Sequence, residues 1–207
     1  MTTETEQGTV EALLAAALAL FAEHGYEGAS VRAITARAGA NLGAITYHFG
    51  SKQALYERVL ERCYGPLVER VEAVVRGAGT ALERAESVVR TYFDYMSARP
   101  ELPCLFMREL AAGHEVPRPV SAAIRRLHGT LAGLVVEGQR EGTMRAGVAP
   151  IMAIGIVSQP LHFGALGGTL REATGIDPAD PASREEIVRQ VVAFVRAGLA
   201  AHGEEGR

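Results

Sequence analysis

At 207 residues, nearly half of them hydrophobic, the chain is long enough for one large or two small domains around a real core. A net charge of −3 excludes a protein that coats a polyanion with its whole surface, so any nucleic-acid footprint must be local. Trp is absent, strand-like alternation is scarce, and Ala, Leu, Val, Arg and Glu dominate, which favours helices. Cys63 and Cys104 form no C-x-x-C pair, as expected of a reduced, cytoplasmic protein and not of a disulfide scaffold. The polar, acidic first ten residues do not resemble a secretory leader.

Residues 1–8 read as a disordered tail. Thr9 is placed to cap a first helix reaching about His24, with Val10, Leu13, Leu14, Ala17, Leu18 and Phe21 at helical spacing and Gly25 as its stop. Tyr26 reads as a packing residue. Ser30 caps a short helix, Val31 to Ala38, and Gly39 sits where a tight turn needs a left-handed residue. Asn41 is then placed to cap a third helix. In it Ile45 and Phe49, four apart, point into one core, while Thr46, Tyr47 and His48 take other directions with groups that bond phosphates or bases. Gly50-Ser51 ends that helix and caps the next. Lys52, the only lysine of the chain, falls beside the exposed N–H groups of a helix start, a place suited to a phosphate. From Gly28 to Arg58 the cations are Arg32, Arg37, Lys52 and Arg58, against Glu57 alone. Three helices with a short turn before the last form a helix-turn-helix pattern.

A long helix follows from Ser51 to about Arg76, with a kink expected at Pro66. Thr80-Ala81-Leu82-Glu83 is a capping box opening a helix to about Arg99. Further helices are expected at Leu105–Ala112, Val120–Arg140 and Ile151–Leu170. Between Arg145 and Arg171 there is no charge, a length that spans a bilayer, but prolines, five glycines, Gln159, Ser158 and His162 favour a buried helix of a soluble bundle. Ser183-Arg184-Glu185-Glu186 reads as a second capping box, opening a last helix with Ile187, Val188, Val191, Val192, Val195 and Leu199 on one side.

The run Leu13 to Tyr26, then Ser30-Val31-Arg32, Ala38-Gly39, Gly43 to Lys52, and Leu55 resembles the N-terminal domain of the TetR family of bacterial transcriptional repressors. The specific match covers the first quarter of the chain. The resemblance implies an all-helical homodimer, with which the count of about nine helices read along the chain agrees: a helix-turn-helix DNA-binding domain at 1–51 and a larger ligand-binding and dimerisation domain at 52–207. It implies Ser30, Tyr47, His48 and Lys52 as phosphate contacts. Two departures stand out: Thr35 replaces a common Ala, and Thr46 precedes Tyr47 where tyrosine is common. Base reading is assigned to Arg32, Asn41 and thymine-methyl contacts from Leu42 and Ala44, and Thr46 is the alternative to Tyr47 for the phosphate bond. For Tyr47 and His48, packing under the hairpin is the competing reading.

The larger region has no G-x-S-x-G, no H-E-x-x-H and no phosphate loop, and its histidines share no metal-ligand spacing, so neither enzyme chemistry, metal nor cofactor is expected. His128 and His162 read as core histidines. Tyr92, Phe93, Met96, Phe106, Met107, His128, His162 and Phe163 are nevertheless the candidates for an aromatic and methionine wall around a small organic ligand; simple core filling is the alternative. The expected function is a ligand-responsive regulator, a repressor released from a palindromic double-stranded operator. Alternatives are a helical-bundle enzyme and a redox-sensing regulator acting through Cys104. The last two helices, with the small residues Gly155, Gly164, Ala165, Gly167 and Gly168 and the stripe from Val188 to Val195, are the expected dimer interface.

Overall fold

Gly25 interrupts the first helix as expected: α1 runs Thr2–Gly28, and Gly25 leaves helical geometry with φ 73° and ψ 175°. The computed structural model describes residues 2–103, 105, 107 and 117–201. The helices that follow are α2 (Val31–Arg37), α3 (Ala44–Phe49), α4 (Lys52–Val75), α5 (Ala81–Ser97), α6 (Arg118–Glu141), α7 (Ala149–Thr174) and α8 (Pro181–Leu199). Among the described residues there is no strand beyond an isolated bridge between Met144 and Ala200. Of the helix expected at 105–112 only Leu105 and Met107 are described, both helical, and the rest lies outside the described residues.

The chain divides into two compact units. In the first, which includes the chain through Gly65, Leu13, Leu14, Ala17 and Phe21 of α1 are buried with Ile34, Ile45, Leu55, Tyr56, Val59 and Leu60. Phe21, Tyr26 and Tyr56 form an aromatic cluster with ring centroids 4.7–5.9 Å apart. The first half of α4, beyond position 51, adds Leu55, Tyr56, Val59 and Leu60 to the core of the first unit. Pro66, the expected kink, marks the division, yet α4 remains one helix through it.

In the second unit α5 packs on α7 and α8. It opens with the expected Thr80–Glu83 capping box. Arg84, a buried arginine, ties this unit together. Its guanidinium donates to the Val75 carbonyl at 2.6 Å and to Glu137 at 2.7 Å. That contact holds the Glu137 carboxyl below its usual range.

Three expectations at the helix ends and faces are corrected. α1 begins at Thr2, so Thr9 lies inside it and not at its cap, and residues 2–8 are helical. The last helix begins at Pro181, with Asp180 accepting the Ser183 N–H at 2.8 Å; Pro fits a first helical position, so Asp180, not Ser183, is the cap. Finally, α7 is not a buried helix. By length and composition it is the one described helix long and apolar enough to cross a membrane. It buries Ala149, Met152, Ala153, Ile156 and Pro160, while Ile151 (67% exposed) and Ile154 (55%) lie open.

Candidate DNA-binding surface

The hairpin is built from local bonds. Ser30 caps α2 by accepting the Ala33 N–H at 3.1 Å, which leaves its own O–H as the group available to a phosphate. Thr35 is buried, and its hydroxyl bonds back to Val31 and Arg32 carbonyls, so the departure from Ala is absorbed inside α2. The turn then closes through Gly39, whose φ of 65° disfavours any side chain, and through Ala40 N–H donating to the Thr35 carbonyl.

Asn41 does not cap α3. Its backbone carbonyl accepts the Ala44 N–H at 3.1 Å, and Gly43 holds the cap position with no side-chain bond. The Asn41 side chain is therefore left exposed on the turn, free of a capping duty. Ala44 is withdrawn from the thymine-contact set, because it is buried with Ile45 on the inner side of α3. Leu42 is 62% exposed and Tyr47 74%, so packing beneath the hairpin does not describe Tyr47. Thr46 is exposed as well. His48 is half-buried, its ring edge-on to Tyr47 at 4.8 Å.

Gly50, at φ 83°, ends α3, and the Ser51 hydroxyl accepts the Ala54 N–H at 3.0 Å to start α4. Lys52 is thus the first residue of α4, half-buried, with its ammonium 4.3 Å from the Tyr26 ring centroid. Tyr26 is both a packing residue and the seat of that ammonium, a role its sequence position does not announce. Burial and the neighbouring Glu27 and Glu57 push its hydroxyl pKa up, keeping it a neutral donor. Arg37, Arg58 and Arg62 are matched by Glu23, Glu61 and Glu11. Among the described residues Arg32 and Lys52 enter no ion pair, so the uncompensated positive charge of α2–α4 in this unit falls on these two.

The proposed ligand-wall residues are only partly brought together. Tyr92, Phe93 and Met96 are buried on α5, and Phe93 lies 6.1 Å from the half-buried Phe163 of α7. Burial pushes the Tyr92 hydroxyl pKa far up, so it stays protonated. His128 instead meets the Pro150 carbonyl at 2.9 Å, at the start of α7. His162 is exposed, which corrects its reading as a core histidine. Met107 is 41% exposed and belongs to the first unit. Phe106 and Cys104 lie outside the described residues. A groove of about 670 Å³ between α7 and α8 is lined by Phe163 together with Gln159, Ile176, Gln190 and Phe194, none of which the sequence singled out as pocket residues.

Residues 13–59 match the model of bacterial regulatory proteins, tetR family, and residues 82–195 match the Tetracyclin repressor-like, C-terminal domain. The chain belongs to the TetR family. This TetR-family protein is a DNA-binding transcriptional regulator, as its relatives are. It is 24% identical over 137 residues to the Fatty acid metabolism regulator protein of Bacillus subtilis, covering 66% of this chain and 71% of that one. To the HTH-type transcriptional regulator UidR of Escherichia coli K12 it is 25% identical over 186 residues, 90% and 92% of the two chains. The TetR-family fold is shared with the crystal structure of FadR from Bacillus subtilis in complex with stearoyl-CoA, at TM-score 0.75 and 18% identity over 91% of this chain and 98% of that chain.

Proposed function

We propose that this regulator is a homodimeric repressor, working in the cytoplasm, that leaves a palindromic operator when a long-chain acyl ligand binds its second unit. The observation that carries the DNA side is the exposure of Leu42 and Tyr47 on a short segment whose other side, Ala44 and Ile45, is buried. Such a segment is rigid from behind and open in front. Lys52 at the start of α4 adds a phosphate contact to it.

The acyl ligand is suggested by the Bacillus subtilis relative named for fatty acid metabolism and by the Bacillus subtilis fold neighbour solved with stearoyl-CoA, which do not count as independent pointers. Phe163, its ring 6.1 Å from that of the buried Phe93, lines the groove between α7 and α8 and is the apolar group of the expected set open to an alkyl chain. Titrating stearoyl-CoA into the protein bound to a duplex recovered by in vitro selection tests this. Release at micromolar ligand supports the reading; unchanged binding refutes the acyl class while leaving DNA recognition in place.

The dimer is assigned to a different face of the last two helices from the valine stripe. Val191, Val192 and Val195 are buried within the chain, so they have no free surface to offer. The open stripe is Ile151, Ile154, Gly155 and Ser158 on α7, with Ala193, Phe194 and Ala197 on α8. Gly155 and Gly168 have open space where a side chain would stand, whereas Gly164 is already used against Pro103. A second copy laid on this face covers Ile151, Ile154 and Phe194 together.

A further inference from the structure

The start of α1 brings an acidic group onto the reading face. Glu6 is exposed, and the Tyr47 hydroxyl donates to its carboxylate at 3.5 Å. The two residues line one cleft of about 380 Å³, with Thr9 on the side of α1 and Gly39, Asn41 and His48 on the side of the hairpin. Of the other carboxylates of this region, Glu11 pairs with Arg62, Glu23 with Arg37 and Glu61 with Arg58, while Glu57 accepts from Gln53. Among the described residues Glu6 enters no ion pair, so its charge stands uncompensated beside the groups assigned to phosphate.

We infer that Glu6 is a positioning residue for DNA binding: its carboxylate holds the Tyr47 hydroxyl in the free protein and yields it to a phosphate when DNA arrives. The inference rests on the reading of Tyr47 as a phosphate contact. A tyrosine hydroxyl has one proton to donate, so carboxylate and phosphate compete for it. An ionised carboxylate accepts only, and it repels the phosphate that replaces it. The exchange therefore sets a threshold: DNA that brings a phosphate to Tyr47 displaces Glu6, while loosely seated DNA meets an uncompensated negative charge.

Glu6→Gln keeps the size and removes the charge. In the full chain, this variant should bind a selected duplex about three- to tenfold more tightly at low salt, with the gain shrinking as salt screens it. The gain on a random-sequence duplex of equal length should be at least as large. In a Tyr47→Phe background, where no hydroxyl proton remains to contest, the gain from Glu6→Gln should be smaller, reduced to the salt-screened repulsion alone. A role limited to helix stability would move the melting temperature and not the salt dependence, so both are measured. Equal or weaker binding by Glu6→Gln overturns the inference, as does an undiminished gain in the Tyr47→Phe background. If the parent also fails to bind any duplex, the DNA-binding reading of the hairpin fails with it.

Discussion

Lys52→Gln separates a residue held for function from one held for stability. In the folded chain Lys52 is the first residue of α4, where a positive charge opposes the helix dipole at a cost of about 0.3–1 kcal/mol. Its ammonium sits 4.3 Å from the Tyr26 ring, a contact worth about 0.5–1 kcal/mol where partly exposed. The two effects oppose each other and are of one size, so the substitution should shift stability by no more than about 0.5 kcal/mol. For a chain of this length that is a melting change of about 1–2 °C. On DNA nothing offsets the loss. Each phosphate contact contributes about 0.9 to the slope of log K against log salt. The proposed dimer would carry two, so the slope should flatten by about 1.8 and affinity at 0.1 M salt should fall about sixtyfold relative to the 1 M reference. Fluorescence anisotropy across a salt series reads both quantities. An unchanged slope would show that the start of α4 does not face phosphate. A melting drop of many degrees would show that Lys52 is structural.

Other outcomes follow from the second unit. Arg84→Met should cost about 2 kcal/mol, chiefly from the lost charge-assisted bond to the Val75 carbonyl, since Glu137 is half exposed and its ion pair counts for less; thermal melting should show about 4–8 °C of loss. Glu137, Glu72 and Asp180 all have folded-state pKa values below their ordinary ones, Glu137 and Glu72 through Arg84 and Arg126 and Asp180 through the Ser183 backbone. The stability they give is present above the ordinary value of 4.5 for glutamate and is lost as pH falls through the lower folded value, so denaturation midpoints should be flat from neutrality to about pH 5 and drop below it. Ile154→Glu with Phe194→Glu should give a folded monomer by sedimentation at micromolar concentration, whereas Val191→Asp should unfold the chain by burying a charge; a folded, dimeric double variant would refute the assigned face.

The parts of this fold that were legible in the sequence are those decided within a few residues. Gly39, Gly50, the Ser30 and Ser51 caps and the Thr80–Glu83 box each answer to a local need for a positive φ or a capped N–H. Where two local answers competed, one neighbour decided: Asp180 and Ser183 both suit a cap, and Pro181 selects Asp180. Periodicity showed that Val191 and Val195 seek an apolar partner but not whether that partner lies in the same chain. Ala44 is similarly silent, since a methyl group suits a core and a groove equally. Contacts between distant positions left no local trace. The seat of Lys52 on Tyr26, the grip of Arg84 on Glu137 and the approach of Glu6 to Tyr47 emerge only once the helices are folded.

Hydroxyl-radical footprinting on a selected duplex tests the central claim most directly, that Asn41, Leu42, Tyr47 and Lys52 form a DNA-reading face. A dimer reading a palindrome should protect two half-sites whose centres lie about 34 Å or a multiple of it apart, and Tyr47→Ala with Lys52→Gln should abolish both protections while the protein stays folded. Protection that persists in the folded double variant, or the absence of any protected site with the parent protein, would contradict it.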